Sequence, residues 1–130
     1  MTTWPLIQRD DKSAPFFDAA AREVLVIRRC ESCGQALPPE AAVCTTCGAT
    51  GPAWCDVAGT GRLVSWTVVH RAPNRAYTDL VPYTVAIVEL DEGPWLHARL
   101  ETDSPSAGMA LRAVFRHPQG SESYPVFTTV

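Results

Sequence analysis

The chain has 130 residues, 46% of them hydrophobic and 19% charged, with a formal charge of −3. That length suits one domain with a small module attached, and the composition is globular rather than disordered. An acidic balance (pI near 5.5) with a single lysine, Lys12, gives no electrostatic footprint for nucleic acid or an anionic membrane surface. No apolar run approaches the roughly 20 residues of a membrane span, and no secretory signal is evident, so a cytoplasmic protein is expected.

Residues 1–29 carry a short helical signal. Ser13 can cap it, Pro15 falls in the first turn, and Phe16-Phe17-Asp18-Ala19-Ala20-Ala21 follows. About two turns are marginal alone, so Phe16 and Phe17 are expected to pack on the chain or on a partner. Residues 24–29 turn β-branched and read as a strand running into Cys30.

Residues 30–55 hold four of the five cysteines. Cys30-Glu31-Ser32-Cys33-Gly34 and Cys44-Thr45-Thr46-Cys47-Gly48 are two knuckles of the same C-x-x-C-G pattern, with ten residues between Cys33 and Cys44. Two residues between cysteines let both sulfurs reach one ion at about 2.3 Å, and each glycine permits the tight return of the chain. Four thiolates close the coordination sphere, which makes the site structural, without an open position for substrate. Disulfides are disfavoured because nothing indicates an oxidising compartment, and a redox C-x-x-C does not come twice with matched glycines. Zinc is favoured over iron, although the spacing also suits rubredoxin-type iron. Cys55, beside Trp54, reads as a buried or half-buried small apolar residue and not as a ligand or nucleophile. Pro38-Pro39 marks a rigid turn between the knuckles.

Residues 56–130 read as all-β. Gly59-Thr60-Gly61 is a bend, too short and too strand-like in context for a phosphate loop. Strands are expected over 62–70, 82–90, 95–100, 109–116 and 124–130. Asp91-Glu92-Gly93 supplies a solvated hairpin turn between the second and third. Five strands in about 75 residues suit a five-stranded barrel of the OB type, with an SH3-like barrel or a small sandwich as alternatives. Trp66 and Trp95 are expected in the barrel core or on a packed face. The fold class is therefore mostly β: a short N-terminal helix (1–29), a rubredoxin-like zinc ribbon (30–55) and a C-terminal barrel (56–130).

The order of these parts resembles a bacterial and archaeal family of zinc-ribbon-plus-OB-fold proteins long catalogued as a domain of unknown function. The features that carry it are the helix with Pro15-Phe16-Phe17-Asp18, the double knuckle, Gly59-x-Gly61, Ser65-Trp66-Thr67-Val68-Val69-His70, Pro82-Tyr83 and Val88-Glu89-Leu90-Asp91-Glu92-Gly93. The ribbon alone is common to many families; the combination is much more specific, and it covers the chain from about Pro15 onward. The resemblance implies an OB-fold barrel and a structural metal on Cys30, Cys33, Cys44 and Cys47. It also implies a non-catalytic partner subunit of thiolase-like or lipid-transfer-protein-type enzymes, including aldolases and hydratases that shorten sterol side chains as coenzyme A esters. A heterotetramer is expected, because thiolase-like enzymes are dimers, with the barrel holding or shielding an acyl-CoA thioester.

The residues agree with a non-enzymatic role. His70, His97 and His117 read as surface or hydrogen-bonded histidines, and no nucleophile–histidine–carboxylate order or paired carboxylate motif is present. A CoA ester needs cations near an aromatic shelf, which singles out His70, Arg71, Arg75 and Tyr77 as ligand contacts, with Phe16 and Phe17 as partner contacts. Nucleic-acid binding, known for other OB folds and zinc ribbons, is the alternative, and the acidic pI argues against it.

Overall fold

The computed structural model describes residues 4–130. Its elements run α1 (Ala14–Ala21), β1 (Leu25–Arg29), β2 (Ala36–Leu37), β3 (Ala53–Val57), β4 (Thr60–Val69), a 3-10 turn (Arg75–Tyr77), β5 (Tyr83–Leu90), β6 (Trp95–Glu101), β7 (Ala110–Arg116) and β8 (Tyr124–Thr129). No described helix is long and apolar enough to cross a membrane.

The start of the helix is held differently from the sequence expectation. Ser13 makes no side-chain cap. Instead Asp10 and Ser13 form a reciprocal pair: the Asp10 carboxylate accepts from the Ser13 N–H at 2.8 Å, and the Ser13 hydroxyl accepts from the Asp10 N–H at 3.0 Å. Ser13 thus stands at the expected N-cap position, but its side chain is engaged with Asp10 in the turn before the helix. The Ser13 hydroxyl also donates to the Asp10 carboxylate at 2.8 Å, and this bond, with that from the Ser13 N–H, holds the carboxyl below its ordinary pKa. The helix ends at Glu23, whose φ of 62° is left-handed, and Val24 N–H returns to the Ala19 carbonyl at 3.0 Å.

β1 is the centre of a three-stranded antiparallel sheet in the order β2-β1-β3. β4 to β8 close into a barrel in the order β4-β5-β6-β8-β7, with β7 pairing back onto β4. All neighbours are antiparallel except β6 and β8, which run parallel through Leu100↔Phe127 and Glu101↔Thr128. This is the expected mostly β architecture: one short helix, a ribbon and a closed five-stranded OB-fold barrel. β3 was not expected as a strand; it pairs along the whole of β1, from Leu25↔Val57 to Arg29↔Ala53.

The barrel core follows from period-2 alternation. Leu63, Ala86, Val88, Leu90, Leu96, Leu100, Leu111 and Phe127 are buried and form one cluster. Leu25 and Ile27 of β1 belong to the same cluster, and Cys55 and Phe16 pack against it. Cys55 is thus the half-buried apolar filler its position suggested.

The turn between β5 and β6 is less free than expected. Asp91 accepts from the Thr60 hydroxyl, and Glu92 accepts from the Ala58 N–H at 3.1 Å. Both carboxylates thereby tie the hairpin to the start of β4. Gly61 lies within β4, where the strands approach closely. A Cβ there would stand 2.3 Å from the Glu89 carbonyl oxygen and 3.0 Å from Leu90 Cα. Both are backbone atoms of a paired strand and cannot swing away. Gly61→Ala is therefore expected to destabilise the fold by about 2 kcal/mol or more, read as a lowered midpoint in urea unfolding.

Candidate metal centre and ligand groove

The two knuckles fold to the same local geometry. In each, the first cysteine's carbonyl accepts from the glycine N–H (Gly34 to Cys30, Gly48 to Cys44, both 2.9 Å). Its N–H donates to the residue after the glycine (Cys30 to Gln35, Cys44 to Ala49, both 2.9 Å). Gly34 and Gly48 have φ of 81° and 79°, the left-handed conformation that the turn requires. The first cysteine of each pair, Cys30 and Cys44, is buried; Cys33 and Cys47 are exposed.

The four sulfurs lie within 4.8 Å of one another. Cys30 and Cys47 approach to 3.5 Å, Cys33 and Cys44 to 3.6 Å. The edge of a tetrahedron with metal–sulfur bonds of ~2.3 Å is about 3.8 Å, so the cluster has the dimensions of a four-thiolate zinc site. Backbone donors are already aimed at the sulfurs. N–H groups of Cys33 and Ser32 face Cys30 and hold its thiol below the ordinary range. Those of Cys47 and Thr46 face Cys44 and lower it to about 6. On Cys33 the Gln35 N–H also pulls downward, but the bond to Cys44, burial, and the Cys30 and Cys47 thiols push it up to about 12. Cys47 is likewise raised: its bond to Cys30 and burial outweigh the Ala49 N–H. Four sulfurs this close share protons until a dication replaces them, and the donors are then in place to stabilise four thiolates. Bound zinc supplies the cross-link that a unit this small needs, its own buried cluster being only Cys30, Leu37 and Cys44.

The other candidates are distributed unevenly. His70, Arg71 and Arg75 are exposed on the segment after β4. Tyr77 turns away from them into an aromatic cluster, 6.4 Å from Trp4 and 5.8 Å from Tyr83, with Trp4 and Tyr83 5.3 Å apart edge-on. The Arg99 guanidinium stacks on Trp4 at 3.7 Å. The Asn74 side chain caps the intervening 3-10 turn by accepting from Ala76 N–H. Of the four residues singled out for a ligand, His70, Arg71 and Arg75 are exposed and Tyr77 is half-buried among aromatic rings. His117 is a hydrogen-bonded histidine, between Ser123 at 2.8 Å and Glu23 at 3.0 Å, as expected. Trp66 and Trp95, expected in the core or packed, are 36% and 53% exposed. Trp66 sits where β4 has outrun β7. Trp95 lies on the outer face, its indole N–H donating to Glu89 at 3.2 Å.

Phe16 and Phe17 are half-buried, with rings edge-on at 5.5 Å. They form one wall of an apolar groove of about 920 Å³ between α1, the ribbon sheet and the barrel. Its other walls include Leu25, Trp54, Leu96, Ala98 and Tyr124, with Lys12, Arg28 and His97 among the polar lining. Arg28 stacks on Trp54 at 4.4 Å and donates twice to the Pro52 carbonyl, at 2.6 and 3.0 Å. The volume is that of a small-molecule site. Nothing local in the sequence reveals the groove, because its walls come from three separate elements.

A zinc ribbon joined to a closed OB-fold barrel defines a class of two-part architecture, and family models match both parts. Residues 17–53 match the ChsH2 rubredoxin-like zinc ribbon domain, and residues 54–116 match the ChsH2 C-terminal OB-fold domain. The chain belongs to the ChsH2-type zinc-ribbon and OB-fold family, DUF35. It is 32% identical over 95 residues to a DUF35 domain-containing scaffold protein of Pyrococcus furiosus (71% of this chain, 68% of the relative). A scaffold protein of the same description from Methanocaldococcus jannaschii is 32% identical over 99 residues (73% and 70%). A probable enoyl-CoA hydratase alpha subunit of Thermomonospora curvata is 39% identical over 101 residues; the match takes in 78% of this chain but only 30% of that protein. Among solved structures, a chain of the Ltp2-ChsH2(DUF35) aldolase superposes with a TM-score of 0.77 at 34% identity, covering 96% of this chain and 98% of that one. A DUF35 protein of unknown function from Sulfolobus solfataricus shares the fold at 13% identity and a TM-score of 0.62 (92% and 86%).

Replacing Cys44, the buried ligand with the lowered thiol, by serine is expected to remove the metal. Elemental analysis should fall from one zinc per chain to well below 0.1. Amide exchange should accelerate through residues 30–51 while barrel amides such as those of Val88 and Phe127 stay protected.

Proposed function

We propose that the chain is a non-catalytic accessory subunit of a thiolase-like enzyme that handles an acyl-CoA thioester. The observation that carries this reading is the end-to-end likeness to the DUF35 chain of an aldolase complex, at 34% identity. The scaffold name of the archaeal relatives supports it. So does the chemistry: the thiolates are committed to a closed site, His117 is held between two partners, and no described nucleophile–base pair is assembled. The likeness to a hydratase subunit covers a minor part of that protein, so it bears on the shared module and not on the hydratase reaction.

The acyl-CoA is the finer part of the proposal. Within this chain, the groove walled by Phe16 and Phe17 has the size and apolar lining for an acyl or pantetheine chain, with Lys12, Arg28 and His97 at hand for polar groups. This reading adds the face carrying the two phenylalanines to the ligand contacts expected at His70, Arg71, Arg75 and Tyr77. A sterol side chain or another lipid as the acyl group and a two-plus-two assembly complete the reading and rest on the resemblance, and a cytoplasmic setting rests on the sequence pattern.

Co-expression with the thiolase-like subunit of the same genome, followed by size-exclusion chromatography with light scattering, tests the role. A stable complex with both chains in equal amounts is expected; two independent peaks overturn it. Calorimetric titration of that complex with an acyl-CoA tests the ligand. Phe17→Asp, which puts a charge into the apolar wall, should weaken binding at least tenfold; unchanged binding removes the groove from the reading.

A further inference from the structure

We propose that the outer half of β4, residues 64–69, is the docking edge of this subunit. Its occupant is an extended, uncharged segment of the partner enzyme, followed by acidic side chains, that adds as a strand beside β4. This deepens the accessory-subunit reading and rests on it.

β4 is ten residues long, but its two edges are not equally used. β5 covers one edge as far as Val69↔Tyr83. On the other, β7 pairs only with residues from Thr60 to Arg62, and the last bonds run from Leu63 to Met109 and Gly108, at 3.0 and 2.8 Å. Beyond Leu63 no strand, loop or side chain among the described residues bonds to that edge. Alternate residues of an edge strand present N–H and C=O groups outward, ready to pair with another chain.

Folded proteins usually blunt such an edge with charge or proline. Here Val64-Ser65-Trp66-Thr67-Val68-Val69 contains neither. The side chains add a second requirement. The row that points into the barrel passes through Gly61 and Leu63, opposite Leu90 and Val88, and continues after a bulge to Trp66 and Val68, opposite Ala86 and Thr84. Inside the barrel that row is buried. Where β7 ends the opposing wall ends too, and Trp66 is 36% and Val68 41% exposed. Water can satisfy the backbone groups but not these two side chains. A strand laid along the edge satisfies both.

Charge selects the occupant. The strand delivers the chain to His70, Arg71 and Arg75, all exposed, and neither arginine has a carboxylate within ion-pairing distance among the described residues. The only acid between Val69 and Tyr83 is Asp79. An incoming segment with acidic residues beyond its apolar stretch matches this tip. A second copy matches it less well. Antiparallel self-pairing centred between Trp66 and Thr67 sets Arg71 of one copy towards Arg62 of the other, and like charges placed opposite each other destabilise a strand pair.

The test uses the full chain with the thiolase-like subunit of the same genome, dissociation constants from interferometry, and amide exchange of free chain against complex. Variants are Val68→Lys, Arg71→Glu with Arg75→Glu, and Trp95→Ala as an exposed apolar control away from the edge. Zinc content and thermal unfolding verify the fold of each. Expected are a tenfold or greater loss for the first two, no loss for the control, and slowed exchange at residues 64–69 in the wild-type complex. Wild-type binding by V68K and by the double variant, or unchanged exchange at 64–69, overturns the docking edge and leaves the accessory role standing. Failure of the wild-type chain to bind overturns both. A homodimer of the chain alone that V68K dissociates overturns the assignment to a foreign strand.

Discussion

The structure turns on one covalently fixed junction: Cys30 follows Arg29 directly, so the end of β1 is a ligand of the four-cysteine site. The strand that the site holds at one end fills the barrel at the other. Leu25 and Ile27 lie in the same buried cluster as Leu63, Val88 and Phe127. Neither part is large enough to be indifferent to the other. The ribbon's own buried cluster is Cys30, Leu37 and Cys44, and a barrel of five short strands has a high ratio of surface to volume. Burying Leu25 and Ile27 is worth about 1.5–3 kcal/mol each, and that gain reaches the ribbon because β1 belongs to both.

The N-terminal segment works by the same logic. Ile7 N–H donates to the Ser121 hydroxyl, and Glu122 N–H returns to the Ile7 carbonyl at 3.0 Å. Arg9 forks onto Glu122 at 2.8 and 3.0 Å and reaches Asp18 on α1 at 2.7 Å. The fork holds the Glu122 carboxyl below its ordinary pKa and raises the guanidinium in turn. These contacts are exposed, and each is worth little alone. Their effect is positional: they lay the segment over the barrel, bring Trp4 onto Arg99, and set α1 at the height where Phe16 and Phe17 wall the groove. The groove is thus a product of assembly, with its walls drawn from the arm, the ribbon sheet and the barrel.

What could be read from the sequence divides along the same line. The metal site was legible because its constraints are local: two cysteines and a glycine within five residues determine a knuckle, and two knuckles determine a site. The barrel strands were legible because period-2 alternation is a local record of an inside and an outside. The start of the helix at Ser13 was legible, but the partner of its side chain was not, because only the folded turn shows the hydroxyl paired with Asp10 instead of an N–H of the helix. β3 was missed because Ala53-Trp54-Cys55-Asp56-Val57 has no clean alternation; its partner is β1, and most of it is only half-buried. Tyr77 was grouped with Arg71 and Arg75 by proximity in sequence, whereas its ring belongs with Trp4 and Tyr83, one of them 73 residues distant. The exposure of Trp66 depends on where a different strand, β7, stops pairing, which no property of β4 encodes.

The exposed row of β4 contrasts with parts of the surface where charged groups are paired. Several of its ionic groups are already spent on one another: Arg9 on Glu122 and Asp18, Arg62 on Glu89, and Arg99 and Arg116 both on Glu101. Charges paired in this way lock the outer barrel face but offer little to a substrate. The hydrogen-bonding capacity and apolar surface left unused at the outer half of β4 are of another kind. They do not suit a small molecule, which could not follow a strand edge for six residues, and they are too regular to be a packing defect. Past Leu63 the core-facing row of β4 runs on into solvent beside a barrel that is closed by β7 on β4 and by two parallel pairs between β6 and β8. An unpaired edge of this kind is where another polypeptide can add a strand.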